Sequence, residues 1–204
     1  MTDPTAKPRA WQRMLSGRRL DLLAPQPEDI AIEDIAHGLA RVARWNGQTI
    51  GAHALSVAQH CLIVEEIVAG NAGSASRTLR LAALLHDSPE YVIGDLISPF
   101  KAAIGLDYKA FELRLLGAIH RRFGLPGETP ADDLARIKAA DRVAAYYEAT
   151  RLAGFAETEA TAFFGAPDGL PPTLSNRLDH LHALAPGDAQ AAYLGRFSAL
   201  MAQP

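Results

Sequence analysis

Polar and apolar positions along this chain follow a helical rhythm over most of its length. Through "PEDIAIEDIAHGLARVARWN", Ile35, Leu39 and Val42 recur at three- and four-residue spacing and form one apolar stripe. A second helix is expected after Ser56, which suits an N-cap, running through "VAQHCLIVEEIVAG" to the break at Gly70-Asn71-Ala72-Gly73. A third covers "SRTLRLAALLH" and ends near His86. Ser88-Pro89 then interrupts the chain, because a residue before proline avoids the α region. Pro89 at a first helical position, capped by Ser88, would open a short new helix carrying Glu90.

A fourth helix is expected from about Asp107 to Phe123, with Phe111, Leu115 and Ile119 on one face and Gly124-Leu125-Pro126-Gly127 as its break. The fifth has Thr129 as cap, Pro130 at the first position, and Asp132 and Asp133 facing the helix dipole. It runs to Gly154, with Leu134, Ile137 and Ala144 on its buried face. A Gly- and Pro-rich stretch from about 165 to 187 reads as loop, followed by a last helix from near Gln190 to Met201. The first 27 residues hold Pro4, Pro8, Pro25 and Pro27 and read as irregular, with a short strand pair around "GRRLDLL". The class is therefore all-α, a helical bundle of six or more helices in a single domain. Its parts are an N-terminal segment at 1–29, a core at 30–155, and a loop and helix at 156–204 packed on that core.

Composition narrows the function classes. Apolar residues make up 49% and charged residues 21%, as in ordinary globular proteins. A formal charge of −3 gives no electrostatic footprint for a nucleic-acid polymer, and Arg18-Arg19 and Arg121-Arg122 read as solvated surface. A lone cysteine, Cys61, excludes an internal disulfide framework and reads as a small apolar side chain. No run has the length of a signal peptide or a membrane span, so no membrane partner is expected and the cytoplasm is the default location.

The chemistry concentrates around "ALLHDSPEYVIGD", where a leucine-rich helix stops at an imidazole and three carboxylates. Helix rise, about 1.5 Å per residue, puts His60 roughly 15 Å from the end of the second helix. The third returns about 12 Å to His86. In an antiparallel pair the two imidazoles reach nearly the same height, with Asp87 beside them. A fourth ligand must come from elsewhere, and Asp141 in "KAADRVAAY" is an acid on an otherwise buried face that requires a cation. Each residue alone also has a plainer role: His60 as a hydrogen-bonded histidine, Asp141 paired with Arg136 or Arg142.

The combination of His60, His86-Asp87 and Asp141 on separate helices resembles the HD-domain phosphohydrolases, and specifically the YfbR-like 5′-deoxynucleotidases. The resemblance spans roughly residues 30 to 155. It extends to "ARW" at 43–45, ahead of His60, and to "HDSPEYVIGD", which is similar to that family's HDxxE…GD segment. It implies an HD-type helical bundle, commonly dimeric, in which His60, His86, Asp87 and Asp141 hold one divalent metal. It further implies that Arg44 binds a substrate phosphate, that Trp45 lies near the sugar, and that Glu90 and Asp95 are catalytic. Two His and two carboxylates suit Mn, Co, Fe, Ni, Zn or Mg without selecting one.

The activity so implied is hydrolysis of nucleoside or deoxynucleoside 5′-monophosphates, a small-molecule nucleotide being the partner. The alternatives are an HD-type dNTP triphosphohydrolase, or a non-catalytic helical binding protein with a structural metal site. Glu90-Tyr91 departs from the HDxxED of (p)ppGpp hydrolases. His53, just before the second helix, reads either as a phosphate contact or as loop surface. His37 reads as structural. His120, the sole histidine between His86 and Asp141, lies beside Arg121-Arg122 on what reads as a surface helix, which favours one metal over two.

Overall fold

The computed structural model describes residues 10–70, 75–95 and 106–203. Pro4, Pro8 and the expected turn at 71–73 lie outside the described residues. The chain is helical, as expected. Among the described residues nine α-helices are formed: α1 Ile32–Leu39, α2 Val57–Gly70, α3 Arg77–Leu84, α4 Glu90–Ile93, α5 Leu106–Arg122, α6 Ala131–Arg151, α7 Glu157–Phe164, α8 Pro172–Asp179 and α9 Pro186–Met201. The strand pair is β1 Trp11–Arg13 with antiparallel β2 Arg19–Asp21. Asp34 of α1 ties this hairpin down, accepting from Ser16 N at 2.8 Å and Ser16 Oγ at 2.5 Å. Among the described residues, no helix is long and apolar enough to cross a membrane.

α2 is the axis of the bundle. Val57, Ala58, Cys61, Ile63, Val64, Ile67 and Val68 are all buried, so it is apolar nearly all round, as a central helix must be. It packs on α3, α6 and α9, while α1 packs on α4 and α9. Gln59, His60 and Glu65 are the buried polar exceptions on α2, and Glu65 serves the packing of the bundle. Its buried carboxylate accepts from Arg80 of α3 at 2.8 Å and from Arg196 of α9 at 2.6 and 2.9 Å, which joins three helices through one satisfied charge.

Several boundaries differ from the sequence expectation. The first helical pattern is divided. α1 ends at Leu39, and a 3₁₀ turn, Arg44–Gly47, follows. Val57 N bonds Val42 O and Arg44 N bonds Leu55 O, so the extended Ala43 pairs with Ser56 at the entry to α2. Pro89 is the N-cap of α4 rather than its first residue, and Ser88 does not cap it; the Ser88 hydroxyl lies 3.4 Å from Tyr193 Oη. Likewise Pro130, not Thr129, is the N-cap of α6. Its extended ψ of 145° puts its own carbonyl at the helix mouth, where Leu134 N binds it. Leu134 is 40% exposed, and the buried face of α6 runs through Ile137, Ala140 and Ala144 instead. The stretch at 165–187 is not all loop: it contains α8 and the first residues of α9, both opening on prolines that fit a first turn.

α4 approaches α1 closely at Gly38. A Cβ there would stand 2.8 Å from Tyr91 Cβ and 2.9 Å from Tyr91 O. This glycine sets the position of the segment that carries Glu90.

Candidate metal centre

The end of α3 places two of the expected ligands. Leu85 N closes the helix on Leu81 O, and Tyr193 of α9, fully buried, donates its hydroxyl to Leu84 O at 3.0 Å. The chain then turns through His86, Asp87 and Ser88, anchored by Ser88 N to Leu85 O and Glu90 N to Asp87 O. The histidines meet as helix rise suggested, His60 and His86 having ring centroids 5.2 Å apart. Ligand atoms of His60, His86 and Asp141 lie within 4.8 Å of one another, a group that could hold a metal ion. Asp87 Oδ2 stands 3.5 Å from His60 Nε2 and 3.3 Å from His86 Nε2. Asp141 faces His60 Nε2 at 3.2 Å rather than pairing with a neighbouring arginine.

Hydrogen bonding orients both rings. His86 Nδ1 donates to Ala83 O at 2.8 Å, and His60 Nδ1 lies 2.5 Å from Glu148 Oε1. With each Nδ1 committed as a donor, Nε2 is the ring atom left to bind a cation once its proton is displaced. Both Nε2 atoms are buried without a hydrogen bond of good geometry and face carboxylates. That donor set, with its outer partners in place, fits a divalent ion. The Asp141 side chain is 40% exposed while His60 is sealed, so the cluster opens to solvent on the α6 side.

The imidazoles and carboxylates of the cluster offset one another's charge. Burial and Arg44 both disfavour a charged His60, yet Glu148 and Asp141 outweigh them and hold its pKa up at about 10. His86 is likewise raised despite its burial, by the neighbouring Asp87 and Cys61. Against the pull of burial, His86, His60 and Arg44 keep Asp87 well below the carboxylate range, and His60 and Arg44 hold Glu148 at about 2. A divalent cation that displaces two imidazole protons leaves the total charge unchanged, so binding exchanges protons for metal with little electrostatic cost.

Arg44 and Trp45 reach the cluster from the 3₁₀ turn. Arg44 lies 3.3 Å from Glu148 Oε2 through Nη2 and 3.7 Å from Asp95 Oδ2 through Nη1. Trp45 adopts φ 56° and Asn46 φ 51°, a left-handed pair that costs about 1–3 kcal/mol per residue in bulky side chains. The strain turns the indole so that Nε1 donates to Glu148 Oε2 at 3.0 Å and the ring packs on Phe155 and Phe164. Gly94, at φ 77°, ends α4 and permits the turn into Asp95. Glu90 is completely buried at the start of α4.

The remaining histidines divide differently. His53 is an exposed loop residue and His37 a half-buried one on α1. His120 corrects the sequence reading: it is 2% exposed, its Nδ1 3.2 Å from Pro126 O, and it fastens the end of α5 to the following turn. Among the described residues it joins no metal-binding group. Sequence reasoning missed Glu148, whose signal was its place seven residues after Asp141, on the same helix face.

No family model matches the chain. A Rhodobacter capsulatus protein described as uncharacterized is 57% identical over 194 residues, covering 95% of this chain and 96% of its own length.

Proposed function

This chain belongs to the same family as that uncharacterized Rhodobacter capsulatus protein, and we propose that it is a metal-dependent phosphohydrolase. Its substrates are nucleoside 5′-monophosphates, deoxynucleotides among them, cleaved to nucleoside and orthophosphate. The observation that carries this reading is the pair of imidazoles whose Nδ1 atoms are engaged and whose Nε2 atoms face Asp87 and Asp141, with a guanidinium alongside. The sequence resemblance to HD-domain 5′-deoxynucleotidases supports the substrate class.

His60, His86, Asp87 and Asp141 would hold one divalent ion. When bound, such an ion polarises a phosphoryl oxygen and lowers the pKa of a coordinated water. Arg44 offsets phosphate charge with a planar fork, from a side chain already fixed by Glu148 and Asp95. Glu90 serves as proton acceptor for the attacking water and Asp95 assists at the departing oxygen. Trp45 presents an apolar ring beside them, against which the sugar rests.

Product analysis tests the bond cleaved. Purified protein supplied with Mn or Co is given dNMPs and dNTPs, and products are resolved by ion-exchange chromatography. Orthophosphate from the monophosphates supports the proposal. Triphosphate released from a dNTP replaces it with a triphosphohydrolase, and no product from any nucleotide leaves a structural metal site.

A further inference from the structure

Glu148 lies two helical turns beyond Asp141 on α6, and its side chain is completely buried. A buried carboxylate must be compensated, and this one is compensated from two sides. Oε1 is 2.5 Å from His60 Nδ1. Oε2 accepts from Trp45 Nε1 at 3.0 Å and from Arg44 Nη2 and Nε at 3.3 and 3.4 Å. One side chain thus touches a metal ligand and both residues of the phosphate-binding turn.

Resting on the reading of this site as a phosphohydrolase centre, we propose that Glu148 is a positioning residue that couples metal binding at His60 to phosphate binding at Arg44. Each oxygen has a separate task. Oε1 accepts the Nδ1 proton and so fixes the tautomer that leaves the His60 lone pair on Nε2. Oε2 holds the Arg44 guanidinium and the Trp45 indole, and Trp45 stands in a left-handed conformation that it would not adopt freely. The two histidines differ in this respect. His86 is oriented by Ala83 O, a backbone atom of its own helix end. His60 depends on a side chain that Arg44 and Trp45 also require, so a shift in either partner reaches the other through the same carboxylate.

Glutamine at this position is the informative replacement, because it keeps the size and has a single acceptor oxygen. It can serve His60 or the Arg44–Trp45 turn, and its amide N–H groups confront donors on the other side. The experiment is calorimetric titration of Glu148→Gln and the parent with CoCl₂, then with inorganic phosphate at saturating Co²⁺. The visible Co²⁺ spectrum is recorded alongside.

Coupling predicts Co²⁺ binding weakened by about 10- to 100-fold, an altered Co²⁺ band, and weaker phosphate binding even with the metal saturated. Parent-like affinity for Co²⁺ overturns the proposal. So does a loss confined to Co²⁺, since Glu148 would then orient His60 alone. A parent protein that binds neither probe overturns the phosphohydrolase reading itself. If the glutamine variant does not fold, Glu148→Asp keeps the charge and shortens the reach. It must then weaken both ligands, and parent-like values for both refute the coupling.

Discussion

The acid stability of the metal-free protein gives a quantitative check on the buried charge cluster. Glu148 has a pKa lowered from the ordinary 4.5 to about 2, against its burial, by His60 and Arg44 and by hydrogen bonds from His60 and Trp45. The folded carboxylate therefore takes up its proton less readily than the unfolded one, and between those values the unfolded state holds more protons. The resulting stabilisation is complete above about pH 4.5 and is lost as pH falls toward 2. At 1.36 kcal/mol per pH unit, the whole effect is about 3 kcal/mol, of which about 2 kcal/mol falls between pH 3 and 6. Urea unfolding in the presence of a chelator, followed by circular dichroism at intervals over that range, measures it. Asp87 and Asp141 contribute slopes of the same sign, so the comparison is with Glu148→Gln. The variant should be less stable at neutral pH and flatter by about 2 kcal/mol across the window. Two parallel curves, displaced but equally steep, would refute the assigned role of Glu148 as an ionised buried partner.

Metal binding should follow the opposite competitor. Since His60 must lose a proton held up to about pH 10, apparent Co²⁺ affinity should rise steadily from pH 6 to 9, with proton release measurable in weak buffer; a pH-independent affinity contradicts this. Gly38→Ala should cost about 1–3 kcal/mol in urea unfolding, because the new methyl collides with Tyr91 backbone and Cβ atoms and forces α4 away from α1; a neutral substitution would mean the helices yield freely. Tyr193→Phe removes the hydroxyl that closes α3 on Leu84 O and should cost about 1 kcal/mol or somewhat more, measured the same way.

What the sequence disclosed about this molecule depended on helix geometry. The depth of His60 in α2 and of His86 at the end of α3 follows from rise per residue, and their rings do meet. The helix pattern was legible where apolar spacing was long and uninterrupted, as in α2 and α6. It failed where proline carried the boundary: Pro89 and Pro130 became caps rather than first residues, and α8 stood within a stretch whose prolines read as loop. His120 looked exposed because of its arginine neighbours, while the turn at Pro126 folds back over it. Glu148 was visible only as one acid among several on α6. Its importance comes from three partners distant in sequence, Arg44, Trp45 and His60, and no local pattern announces a contact of that kind. The strained Trp45-Asn46 pair was hidden for the same reason, since a left-handed tryptophan is chosen by its tertiary contacts.

In the proposed function, His60, His86, Asp87 and Asp141 form a metal centre for phosphate-ester hydrolysis. Orthophosphate release from a nucleoside 5′-monophosphate with Mn²⁺ or Co²⁺, comparing the parent with Asp87→Ala, tests it most directly. Metal-dependent turnover by the parent, abolished by chelator, is the expected result, with a loss of at least about 100-fold in the variant. Turnover by Asp87→Ala equal to that of the parent, or a parent inert with every metal and nucleotide, contradicts it.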